Sequence, residues 1–155
     1  GVTVEVGTEV TVMLGVATQV PVPNLEGMTV PDAQAAAANV GLNVDILGTV
    51  VTNDQSLDGL VQSQEPAATT LVDEGSFIQL VIYLYQPDVP DLVGMNLVDA
   101  QTLATSVGLG TVSQVGTLET ADAGLVGTIE SQVPTLGTSV AVGTDIDVIV
   151  YIPAP

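Results

Sequence analysis

An α+β fold is predicted, with two tandem small modules, each one helix packed on a three-stranded sheet, preceded by an N-terminal β-strand segment. Three observations carry that expectation. "VPNLEGMTVPDAQAAAANVGLNV" from Val22 returns without a gap as "VPDLVGMNLVDAQTLATSVGLGT" from Val89. Each copy holds one helical pattern followed by strand-like runs rich in Val and Ile. The opening "GVTVEVGTEVTVMLG" alternates, with Val2, Val4, Val6, Val10, Val12 and Leu14 on one face and Thr3, Glu5, Glu9 and Thr11 on the other.

The helices come first in each copy. Thr29 is placed to cap a helix that carries Pro31 in its first turn and Asp32 at the capping-box position; Asn96 and Asp99 take the same parts in the second copy. Gly41 and Gly108 stop the helices where a left-handed residue is needed. Val30, Ala33, Ala37 and Val40 mark one inward face, and Leu97, Ala100, Leu103, Ala104 and Val107 the other. The small residues Ala35 to Ala38 predict a helix lying close to its sheet.

Strands follow. "LNVDIL" alternates, and "GLVQSQEP" and "GTIESQVP" end at Pro66 and Pro134, which cannot donate to a ladder. Phe77 to Tyr85 and Ile146 to Ile152 are the most β-prone stretches. The first has Phe77, Val81 and Tyr83 on one face and Ile78, Leu80 and Ile82 on the other. A strand apolar on both faces is central in its sheet or covered by a neighbour. Tyr83 and Tyr151 occupy equivalent positions, which points to a repeated structural role. The tail "GLVQSQEPAATTLVDEGSFIQLVIY" aligns with "GTIESQVPTLGTSVAVGTDIDVIVY" after a one-residue shift. The opening stretch matches both tails, Gly7 aligning with Gly75 and Gly143. The divisions are therefore residues 1–21, a terminal strand segment plus linker; 22–87, the first repeat; and 88–155, the second. The linker Gln19 to Asn24, with Pro21 and Pro23, is expected to be stiff and extended.

Composition bounds the function. The 155 residues are 46% hydrophobic and 12% charged, enough for packed cores. They contain no Lys, Arg or His and 18 acidic residues, for a net charge of −18. Nothing can neutralise phosphates, so nucleic acid is excluded as a partner, and attraction to an anionic membrane surface fails likewise. Without Cys there are no disulfides or thiolate metal sites. The apolar run "FIQLVIYLY" is far short of the roughly 20 residues of a spanning helix. No signal-peptide pattern is visible, and no N-x-S/T sequon occurs. A mean hydropathy of +0.55 implies unusually rich cores or apolar surface buried between subunits.

Catalysis has no visible apparatus. A nucleophile needs a base beside it, and without His, Lys or Cys no spacing singles out a pair. Asp54 and Asp58 share a loop, and Asp145 and Asp147 are placed on one strand face, but neither pair has EF-hand spacing. "GLGTV" at Gly108 follows a helix, whereas a dinucleotide loop opens one. No enzyme activity, metal or cofactor is expected.

The repeats resemble the PASTA module, found outside the cell in bacterial penicillin-binding proteins and serine/threonine kinases. Its pattern is met by Val22, Pro23, Gly27, Ala33, Gly41, Leu42, Gly59, Val61, Gln64 and Pro66, and again by Val89, Pro90, Gly94, Ala100, Gly108, Leu109, Gly127, Ile129, Gln132 and Pro134. The resemblance implies an extracellular or cell-surface, non-catalytic protein. Family members bind muropeptides or wall polymers, act as spacers, or mediate dimerisation. The contacts proposed in them often involve basic residues, which this chain lacks, so no binding residue carries over.

Two functional expectations follow. In the first, the modules assemble head to tail into a filament or stalk, the chain partnering itself by donation of the opening strand. Val2, Val4, Val6, Val10, Val12 and Leu14, with Phe77, Val81 and Tyr83, would form the subunit interface. The absence of trypsin sites suits such an exposed polymer. In the alternative, the chain is a peptidoglycan- or muropeptide-binding ectodomain, or a spacer from a larger surface protein.

Overall fold

The computed structural model describes residues 18–155. The opening face Val2, Val4, Val6, Val10, Val12 and Leu14 lies outside the described residues. Two α+β modules follow one another, each with one helix and one three-stranded sheet.

Helix α1 spans Val30–Ala38 and α2 spans Leu97–Ser106. Both start as their sequences predict. Thr29 Oγ1 accepts from the Asp32 amide and donates to its carboxylate at 2.7 Å. Asn96 makes the same pair of contacts with Asp99, at 2.9 and 2.7 Å. Each cap satisfies a backbone N–H that the first turn leaves without a partner, and the acid favours the positive helix end. At the other end Gly41 and Gly108 adopt φ of +74° and +83°, as a left-handed stop requires. The buried helical residues are alanines, Ala33 and Ala37 in α1 and Ala100 and Ala104 in α2.

In the first sheet β2 (Asn43–Thr52), β5 (Phe77–Tyr85) and β3 (Val61–Glu65) stand in the order β2-β5-β3. In the second, β6 (Val112–Thr120), β8 (Ile146–Pro153) and β7 (Ile129–Val133) stand in the order β6-β8-β7. The strand latest in sequence is thus central, parallel to the first and antiparallel to the second. β5 is central, yet its two apolar faces are unequally covered. Ile78 and Leu80 are fully buried against the helix side, while Phe77 on the other face is 62% exposed.

The register breaks at two adjacent steps of the central strand in each module. Leu47 is the extra residue of β2 opposite Leu80–Val81 and Gln62 that of β3 opposite Val81–Ile82; Val115 and Glu130 repeat the arrangement opposite Val148–Ile149 and Ile149–Val150. Such bulges bend a strand and re-aim its side chains. Each core is separate: Leu25, Val61, Ile78 and Leu80 centre one, and Leu92, Ile129, Ile146 and Val148 the other.

The Pro-flanked stretch after residue 18 is extended, but it is bound to its own module. Strand β1 (Gln19–Pro21) pairs antiparallel with β4 (Leu71–Asp73). The ladder continues on both sides, Glu74 N donating to Thr18 O and Thr69 N to Val22 O. Val20 packs on the first core. Its prolines pointed to an extended chain, but which segment would pair with it depends on a partner about fifty residues away, a long-range match that local pattern does not encode.

Candidate functional site

In each module a glutamine ties the chain segment entering the module to an edge strand of its sheet, β3 or β7. Gln132 on β7 is 8% exposed, and its side-chain oxygen accepts from the Leu92 amide at 2.7 Å. Its side-chain nitrogen donates to Pro90 O and Pro134 O. Gln64 on β3 does the same for Leu25 N, Pro23 O and Pro66 O. A neutral amide with both donor and acceptor capacity suits this place. A carboxylate could not donate to two carbonyls, and a hydrocarbon would leave all three backbone groups without this partner. The peptide bonds before Pro66 and Pro134 are cis.

Above Gln132 opens a groove of about 410 Å³. One wall is the turn after Pro90, with Asp91 and Val93; the other is the turn after Pro134, with Leu136. Glu130 and Ser131 of β7 line its base. Asp91 Oδ1 accepts from the Val93 amide at 3.1 Å, fixing that turn. Val93 and Leu136 are 51% and 61% exposed. Glu130 reaches the groove because it is the extra residue of its bulge. The repeats' alignment shows how the walls diverge. Asn24, Glu26, Gln62 and Ala68 stand in the first module where Asp91, Val93, Glu130 and Leu136 stand in the second. That divergence between otherwise matched repeats is the signal by which sequence reading could have singled out the groove.

Of the predicted interface residues, Phe77, Val81 and Tyr83 do share one open face of β5, beside Val50 and Ser63 of the neighbouring strands. Tyr83 and Tyr151 take equivalent places on β5 and β8. Each backbone N–H donates to a carbonyl just before an edge strand, Leu60 O before β3 and Thr128 O before β7, at 2.9 Å.

The acids considered for calcium are engaged locally. Asp54 caps the 3₁₀ turn Gln55–Leu57 and accepts from both the amide and the hydroxyl of Ser56. The Ser56 hydroxyl, then its amide, hold the Asp54 carboxyl below its ordinary value. Asp58 accepts from the Tyr85 amide at 2.8 Å, and Asp145 from the Thr111 amide at 2.6 Å. Asp145 stands just before β8 and Asp147 within it, both exposed. Among the described residues no group of three or more acids is placed to hold a metal ion. Among them, too, no helix is long and apolar enough to cross a membrane.

Two successive modules of one helix and a three-stranded sheet, each pinned by a glutamine, define a tandem-repeat protein. The PASTA domain profile matches residues 20–83 and again residues 87–151, and the chain belongs to the PASTA family. Among solved structures it is similar to the entire extracellular region of the Ser/Thr kinase PrkC from Staphylococcus aureus. Identity there is 26%, over 88% of this chain and 48% of that one, with a TM-score of 0.43. The three-PASTA-domain of a Ser/Thr kinase from Staphylococcus aureus is 18% identical, over 87% of this chain and 67% of that one, with a TM-score of 0.41. Penicillin Binding Protein 2X from Streptococcus thermophilus is 14% identical, over 86% and 17%, with a TM-score of 0.34. The chain thus spans about half the length of the first of these structures. Comparison with curated protein sequences yields no match.

Proposed function

We propose that the chain is a non-catalytic, extracellular PASTA segment that binds peptidoglycan, as its family's modules typically do. The single observation that carries this reading is the pair of consecutive family matches, residues 20–83 and 87–151. With a net charge of −18 and no basic side chain, the ligand is held by hydrogen bonds, apolar contact and pairing of acids with ammonium groups. The family supports this reading better than self-assembly into a filament, which the sequence alone had favoured.

Co-sedimentation with purified peptidoglycan sacculi tests it. The full chain should pellet with sacculi and stay soluble without them. A chain that stays in the supernatant at all sacculus concentrations is a spacer. One observation keeps a second reading in play: Phe77, on the same face as Val81 and Tyr83, is 62% exposed. Sedimentation velocity of the wild type against Phe77→Ser would show whether that face joins copies.

A further inference from the structure

The groove of the second module differs from its counterpart in a way that packing does not require. Both modules keep the same floor, Gln64 or Gln132, with matching bonds to the turn below. Both keep the same wall turn, since Glu26 N donates to Asn24 Oδ1 just as Val93 N donates to Asp91 Oδ1. Asparagine therefore serves that turn as well as aspartate does. On this common frame the second module carries carboxylates at Asp91 and Glu130 where the first has Asn24 and Gln62. It adds exposed apolar side chains at Val93 and Leu136, where the first has Glu26 and Ala68.

The geometry points to this groove as the docking site for an alkylammonium side chain of lysine type, carried on a short peptide. The volume of about 410 Å³ is in the size class of small-ligand sites. Val93 and Leu136 give an aliphatic stem an apolar bed, and Asp91 and Glu130 give its head two carboxylates. Long cationic side chains distribute themselves in just this fashion, stem on apolar surface and charge in a polar, wet setting. None of the 155 residues is a Lys, Arg or His that could fill the place. The inference rests on the wall-facing reading only for where such a peptide is met.

Amide NMR spectra of the full chain, titrated with the peptide acetyl-Ala-Lys-Ala-amide and with its Nε-acetylated form, test this. Shifts should concentrate at Val93, Glu130, Ser131 and Leu136, and acetylation should weaken binding roughly tenfold by removing the charge. Asp91→Asn and Glu130→Gln should each weaken it roughly fivefold. Both variants should fold, since they install the first module's own side-chain types. Grafting the set in reverse, N24D, E26V, Q62E and A68L, should create peptide-dependent shifts in the first module. Equal binding of the acetylated peptide, or shifts spread evenly over both modules as for diffuse attraction to a polyanion, would overturn the assignment. Peptide binding without sacculus binding would leave the site standing and remove the wall reading. Sacculus binding unaffected by D91N and E130Q, with no peptide shifts, would do the reverse.

Discussion

The phenolic oxygen of Tyr85 donates to the backbone carbonyl of Val107 at 3.1 Å, joining the last residue of β5 to the C-terminal end of α2. The ring also lies close to Gly108. One tyrosine thereby links the central strand of the first module to the helix of the second. Asp88 reinforces the junction by accepting from Asn53 on one side and from Ser139 on the other.

Tyr85→Phe removes that bond while keeping the ring. At a part-buried site the loss should be about 1 kcal/mol in module coupling. Small-angle scattering should show a broader distribution of shapes than the wild type, with each module's own amide spectrum unchanged except near residues 85 and 107. An unaltered scattering profile would mean the junction is set by the backbone alone.

Gln132→Ala should cost roughly 2–4 kcal/mol, since it leaves the Leu92 amide and two proline carbonyls without their buried partner. Gln64→Ala should act comparably on the first module. Urea unfolding followed by module-specific amide signals separates the two effects, because each core is built from its own residues.

Two glycines should respond in opposite directions. A Cβ at Gly110 would collide with the Asp145 carboxylate and the Gly143 carbonyl, so Gly110→Ala should destabilise by about 1–3 kcal/mol. A Cβ at Gly48 meets nothing within 4 Å, so Gly48→Ala should be neutral or stabilise by about 0.5 kcal/mol through the unfolded chain. Melting temperatures of the two variants give the comparison directly.

Electrostatics yields a paired prediction. Asp54 has a folded pKa below its unfolded value, so its contribution is complete above the ordinary carboxylate range and fades as pH falls through the folded pKa. Carboxyl NMR should place its midpoint under the ordinary 3.8, and Ser56→Ala should return it upward. At neutral pH, where 18 acids face no cation, added salt should raise the melting temperature by screening their repulsion. A melting temperature that falls with sodium chloride would contradict this.

Much of the architecture was legible because it rests on local chemistry. Thr29 and Asn96 announce helix starts through the acid three residues on, and Gly41 and Gly108 announce the stops. The alanines at positions 33, 37, 100 and 104 were recognisable as the inward face. Strand order was not legible: alternation tells which side chains share a face, but nothing in "FIQLVIYLY" says that its partners are Asn43–Thr52 in parallel and Val61–Glu65 in antiparallel pairing. The single-residue bulges at Leu47 and Gln62 are equally silent, since each merely offsets an alternation that short strands define weakly. The groove stayed hidden for a related reason, as its residues come from two turns and a bulge about forty residues apart.

The central position of β5 and β8 has a consequence for the order of events during synthesis. Each sheet has a vacancy in its middle until the final stretch of its module has been made, so β2 and β3, or β6 and β7, lack the strand that both of them pair with. Pairings so distant in sequence form slowly. A growing chain therefore completes its first module only after Tyr85 emerges, and its second only near Pro153. Assembly is stepwise by design of the topology, each unit sealed by its own last strand before the next can close.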